Sequence, residues 1–140
     1  MRLLAESSAV MAWLLNEPKS AEVARLLGLA DEILTSNLTW IECERVLHRC
    51  AALGTLPVAE LVDSRKRLLQ ASVSWISVEI SAECQQKARN PFPVEPLRTL
   101  DALHVATALI AREWVGELQV LTLDQRVREN AVALGFLVIP

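Results

Sequence analysis

Short apolar runs alternate with longer amphipathic stretches along the whole chain, and this alternation constrains the fold more than any other feature of the sequence. The runs Arg2–Ala5, Glu32–Thr35, Val73–Val78, Leu118–Leu121 and Phe136–Ile139 have the length and apolar content of strands. Helical spacing of apolar residues covers Ser8–Leu15, Lys19–Leu29, Leu38–Leu53, Val58–Ala71, Ala82–Ala88, Leu100–Trp114 and Gln125–Leu134. Breaks fall at Pro18, Gly54, Pro57, the segment from Asn90 to Pro96, Gly116 and Gly135. Strands separated by helices imply βαβ units, and therefore an α/β fold with a mostly parallel sheet of about five strands covered on both faces. No repeat, low-complexity tract or linker interrupts the pattern, so the expectation is one domain over residues 1–140. A chain of this length can bury roughly two-thirds of its unfolded surface.

The net charge of −3 argues against a non-specific binder of polyanions, so any contact with nucleic acid must come from local basic residues or bound cations. Cys43, Cys50 and Cys84 form no CxxC pair and are odd in number, which predicts reduced thiols in a cytoplasmic protein. Cys43 and Cys50, seven residues apart, fall on one helix face as small core residues would. No secretion signal opens the chain and no apolar run is long enough to span a bilayer, so it is expected to be neither exported nor membrane-embedded.

In parallel α/β sheets, sites form beyond the carboxyl ends of the strands, and acids cluster there in this sequence. Glu6 directly follows the first strand. Asp124 lies just beyond "LQVLT". Glu42 lies about one turn into the helix after "EILTS", and Asp101 opens the helix "LDALHVATALIA". Each also has an ordinary reading: Glu6 and Asp124 as helix caps, Asp101 as a first-turn acid behind a Thr99 cap, Glu42 as a solvated residue. Helical geometry favours more. Glu42 borders the apolar arc of Trp40, Cys43, Val46, Leu47, Cys50 and Leu53, whereas Glu44 lies past its other border. The helix after Leu100 is apolar nearly all round, with Asp101, His104, Thr107 and Arg112 sharing one side. A carboxylate entering such a helix is costly unless paired or bound to a cation. Converging carboxylates raise one another's pKa, and a hard divalent ion such as Mg²⁺ or Mn²⁺ relieves the conflict. No phosphate loop, GxGxxG, HExxH or GxSxG motif points to another enzyme class.

The segments "LLAESSAVMAWLLNEP", "ILTSNLTWIECERVLHR", "LRTLDALHVATAL" and "LQVLTLDQRVRENAVALGF", in this order and spacing, resemble the PIN-domain family, and within it the VapC-type toxins of bacterial toxin–antitoxin pairs. The resemblance spans nearly the whole chain. It implies a three-layer α/β sandwich and an acidic site binding Mg²⁺ or Mn²⁺. It also implies metal-dependent cleavage of RNA, a VapB-like antitoxin and a homodimer. Position by position, Glu42, Asp101 and Asp124 match the second, third and fourth family acids. Glu6, in "AESSAV", stands where the family usually has Asp, keeping the charge with one more methylene.

On this resemblance Glu6, Glu42, Asp101 and Asp124 are the expected catalytic residues. Glu6, Asp101 and Asp124 bind metal directly or through water, and Glu42 binds metal or orients the attacking water. Ser8 and Thr122 are candidate hydroxyls that hold the carboxylates, with capping as their ordinary role. Arg98 either meets a phosphate or forms an ordinary ion pair. His104 reads as a histidine hydrogen-bonded within a buried helix, and His48 as solvated. Trp13, Trp40, Trp75 and Trp114 read mainly as core or interface residues. Arg45, Arg49, Arg65, Lys66 and Arg67 could face an RNA backbone or merely solvent. Two other functions compete. One is a PIN module that binds RNA or a partner with little cleavage, suggested by Glu6. The other is a phosphoacceptor receiver domain, disfavoured because Glu79 follows the middle strand and no late strand ends in Lys.

Overall fold

The structure, a computed structural model, describes residues 1–140. Its elements are β1 (Arg2–Ala5), α1 (Ser7–Leu14), α2 (Ser20–Leu29), β2 (Glu32–Ser36), α3 (Asn37–Leu53), α4 (Val58–Ser74), β3 (Ile76–Val78), α5 (Ala82–Ala88), α6 (Thr99–Val115), β4 (Gln119–Leu121), α7 (Gln125–Ala133) and β5 (Leu137–Ile139). The five strands form one sheet in the order β3-β2-β1-β4-β5, and every pairing is parallel. The expected mostly parallel sheet is thus wholly parallel.

Two apolar clusters sit on the two faces of this sheet and make three layers. On one face Leu3 and Ala5 of β1 pack with Val10, Leu14, Val23, Leu26, Leu47, Leu61 and Leu68 from α1 to α4. On the other, Leu4, Leu34, Val78 and Val120 pack with Ala106, Ile110 and Ala111 of α6, Cys84 of α5 and Ala131 of α7. Successive β1 residues therefore point to opposite layers, as the two-residue period of a strand requires, and both faces are apolar because helices cover both.

One expected element is corrected. Val73 and Ser74 belong to the end of α4, not to a strand running from Val73 to Val78. The β-branched, alternating "VSWISV" reads as extended, yet Ser74 Oγ bonds Gln70 O at 2.9 Å and Trp75 N bonds Ala71 O at 2.8 Å, which closes the last helical turn. Only Ile76–Val78 pairs with β2, and β3 is an edge strand with a single neighbour. The expected Thr99 cap is corrected as well. Arg98 occupies the N-cap of α6 without a side-chain hydrogen bond, and Thr99 is the first helical residue.

Of the basic residues that could face RNA, Arg67 turns inward. Its guanidinium donates to Trp13 O and Leu14 O, both at 2.9 Å, and lies 5.3 Å from the Trp13 ring. Ser64, also on α4, donates to Leu14 O at 2.7 Å. Those carbonyls are the orphan acceptors at the end of α1, so α4 caps α1 with side chains. Trp13 and Trp40 each pack on Trp75, with ring centroids 5.9 and 5.7 Å apart, while Trp114 is 58% exposed. Arg45, Arg49, Arg65, Lys66 and His48 are exposed. No helix is long and apolar enough to cross a membrane.

Candidate functional site

The strand order reverses direction at β1: the chain moves outward through β2 to β3, then returns to place β4 on the other side of β1. A parallel sheet opens a crevice at such a switch, beyond the carboxyl ends of the two strands. Glu6 follows β1 immediately, and Thr122 and Asp124 follow β4.

Glu6 is the N-cap of α1, with Oε2 accepting from Ser8 N at 3.1 Å. It is only 3% exposed. Burial of a carboxylate is affordable only with hydrogen bonds, and this one has them in number. Ser7 Oγ donates to Oε1 at 2.6 Å and Thr122 Oγ1 donates to Oε2 at 2.7 Å, while Ser8 Oγ is a further donor to Oε2. The hydroxyls are themselves held, since Leu123 N donates to Ser8 Oγ at 2.9 Å and Asp124 N to Thr122 Oγ1 at 3.1 Å. Ser8 and Thr122, the two hydroxyls singled out in the sequence, both donate to the Glu6 carboxylate. Thr122→Val keeps the shape but removes one donor to buried Glu6 and one acceptor from Asp124 N. It is expected to destabilise the protein by about 1–3 kcal/mol in urea unfolding, the cost of leaving buried polar groups unpaired.

Asp124 caps α7, with Oδ1 accepting from Val127 N at 2.9 Å. Its ordinary reading as a cap is correct, and Oδ2 carries no part of that bond. Asp101 lies in the first turn of α6, half-buried. Partial burial, followed by the charges of Asp124 and Glu6, holds the Asp101 carboxyl above its ordinary value, against smaller opposing effects of His104 and Arg98. Those three acids therefore share one negative field. Arg98 is exposed at the mouth of α6.

Glu42 enters from α3, in the opposite helical layer. His104 Nε2 donates to Glu42 Oε1 at 2.5 Å, lies 3.2 Å from Ser7 Oγ, and stands 3.7 Å from Glu6 Oε1. Burial alone would lower the pKa of this imidazole. The hydrogen bond to Glu42 and the charges of Glu6, Glu42 and Asp101 outweigh burial and hold it above its ordinary value. His104 is buried in α6 as expected, but its partners are site side chains rather than its own helix. Ser7 and His104 are the two members of this constellation that the sequence did not single out for a site role. Ser7 was hidden by its neighbour Ser8, and the bonds of His104 run to residues 62 and 97 positions away. Beside the site, burial and then the charges of Glu42, Glu6 and Glu44 push the Cys43 thiol up to about 12, so it is no nucleophile.

The donors suit a hard divalent cation in kind, being carboxylate oxygens whose mutual repulsion a cation would relieve. As they lie, no three carboxylate, imidazole or thiol side chains stand close enough to share one ion. Glu6 spends both oxygens on protein donors, which leaves Asp101 and Asp124 as the acids freest to ligate. Mg²⁺ commonly keeps several waters and takes one or two carboxylates, and that mode fits this arrangement.

The model of the PIN domain family matches residues 3–133. Ribonuclease VapC45 of Mycobacterium tuberculosis is 30% identical over 137 residues, which cover 96% of this chain and 92% of that protein. Among solved structures, a toxin-antitoxin complex from Klebsiella pneumoniae aligns with a TM-score of 0.64 at 16% identity, covering 99% of this chain and 96% of that one. VapC20 of Mycobacterium tuberculosis, a Sarcin-Ricin loop cleaving toxin, aligns with a TM-score of 0.62 at 15% identity over 96% of each chain. These structural likenesses agree with the three-layer fold described above.

Proposed function

The chain belongs to the PIN domain family, and on that premise we propose that it is a divalent-metal-dependent ribonuclease, the toxin of a type II toxin–antitoxin pair. The observation that carries this reading is the gathering of acids beyond the carboxyl ends of β1 and β4, where Glu6 follows β1, Asp124 follows β4 and Asp101 in the first turn of α6 lies near enough to feel both charges. Asp101 and Asp124 would hold Mg²⁺ or Mn²⁺ directly, and Glu6 through water. When bound, the cation supplies Lewis acidity toward a phosphate oxygen and toward the attacking water. Glu42, held by His104, would bind the cation through a water molecule and orient that water for attack. Thr122 and Ser8 keep the Glu6 charge in place. Arg98, exposed at the start of α6, would meet a substrate phosphate.

A VapB-like antitoxin and a homodimer belong to the same reading. It is supported by the Klebsiella pneumoniae toxin-antitoxin complex of like fold and by an exposed apolar stripe on α4, formed by Val58, Val62, Leu69 and Val73. Three unpaired cysteines accord with a reducing cytoplasm.

The direct test incubates the purified chain with a broad set of RNAs. Cleavage is expected with Mn²⁺ or Mg²⁺ and is expected to vanish with EDTA. Cleavage that survives chelation would reject the metal-dependent reading. The second reading, an RNA- or partner-binding module with little cleavage, is favoured by one observation: Glu6 has all its oxygens taken by protein donors. Under that reading neither the native chain nor Glu6→Asp cuts any RNA in the set.

A further inference from the structure

The four acids are not held alike. Glu6 has four donors from Ser7, Ser8 and Thr122, and Asp124 is fixed as a helix cap. Asp101 is short and sits in the first turn of its helix. Glu42 is a long, flexible side chain on α3 whose one hydrogen-bond partner is His104, at 2.5 Å. An unrestrained glutamate has several rotamers to lose before it can act from one place. His104 has little freedom itself, being 2% exposed in the middle of α6. Its ring also reaches Ser7 Oγ at 3.2 Å, and Ser7 Oγ donates a hydrogen bond to Glu6 Oε1 at 2.6 Å. One imidazole thereby joins α3, in one helical layer, to α6, in the other, and fixes the spacing of the two glutamates across the crevice.

We propose that His104 is a positioning residue that holds Glu42 in its working rotamer and sets its distance from Glu6. It touches neither the phosphodiester nor the cation, and it acts through Glu42. This rests on the ribonuclease reading for its kinetic readout, and the test below separates the two.

Compare His104→Gln, whose amide N–H can occupy the position of Nε2, with His104→Asn, which is too short to reach Glu42. Both place a neutral amide in the same buried setting, so a fold defect common to them cancels in the comparison. His104→Asn is expected to lower kcat by about 10–100-fold with KM for RNA nearly unchanged, the range seen when groups orienting metal-site ligands are lost. His104→Gln is expected to recover most of kcat. In a Glu42→Ala background the Gln and Asn variants are expected to be equal, since the group they orient is gone. Calorimetric titration with Mn²⁺ alone gives a readout independent of turnover: weaker binding for His104→Asn than for His104→Gln, and no difference between them without Glu42.

Equal Gln and Asn variants in the native background, or an undiminished difference in the Glu42→Ala background, would overturn the proposal. If the native chain cuts no RNA, the ribonuclease reading fails and the Mn²⁺ titrations still decide the role of His104. If the native chain neither cuts RNA nor binds Mn²⁺, both fall.

Discussion

Asp101→Asn is expected to remove at least about 10²-fold of metal-dependent RNA cleavage, because under the proposed function it deletes a carboxylate that would hold the cation, whose Lewis acidity is worth several kcal/mol of transition-state charge stabilisation. The same change is expected to raise the melting temperature of the metal-free protein. The sign follows from where Asp101 sits. Partial burial, then Asp124 and Glu6, hold its pKa above the ordinary 3.8, so the folded state binds this proton more tightly than the unfolded chain does. The benefit of protonation is complete below pH 3.8 and is lost as pH rises through the raised value. At neutral pH the native protein therefore carries an ionisation cost that asparagine does not have. The difference in melting temperature should be small, since solvent screens a carboxylate this exposed, and it should shrink on acidification. Added Mn²⁺ should stabilise the native protein and not the variant. Thermal melts at pH 4 and 7, with and without Mn²⁺, check the thermodynamic part, and an RNA cleavage assay checks the other. A variant that is less stable at neutral pH without metal would contradict the shared field of acids.

Leu34→Ala is expected to be the most damaging of the simple truncations to stability. Leu34 is fully buried in β2, pairs beside Leu4 of β1 and Ile76 of β3, and belongs to the apolar cluster beneath α6. The sheet backbone around it cannot collapse into the space that a lost isobutyl group leaves. The expected cost is about 3 kcal/mol, or about 10 °C in melting temperature for a chain of this size. Leu69→Ala, on the exposed stripe of α4, changes the same atoms at a residue 66% exposed and is expected to shift stability by less than about 0.5 kcal/mol. Urea unfolding of the pair checks both, and equal losses would mean that Leu34 does not sit in a rigid core.

Much of this architecture could be read along the chain because it is local. Each βα unit declares itself by an apolar run followed by an amphipathic stretch, and Glu6 and Asp124, both legible as caps, do cap α1 and α7. The acids at strand ends were legible for a related reason. In a parallel sheet every strand ends on the same side, so residues after β1, β2 and β4 share an edge wherever they lie in sequence. What was not legible depends on meetings that no local pattern encodes. "VSWISV" alternates like a strand, but the helical bonds of Ser74 and Trp75 decide its fate. Arg67 looks like a solvated cation until the free carbonyls of α1 are placed against it. His104 looks like a packing residue until α3 brings Glu42 across the crevice.

The capping of α1 by α4 has a mechanical side. α1 has eight residues and is about 12 Å long. Its first turn is bolted to the crevice by the Glu6 carboxylate, and its last carbonyls are gripped by Ser64 and Arg67. A rod so short and fastened at both ends has no slack. The position of the Glu6 charge is therefore referenced to α4, the helix whose outer face carries the apolar stripe, and a displacement of that helix reaches the acids without passing through the sheet.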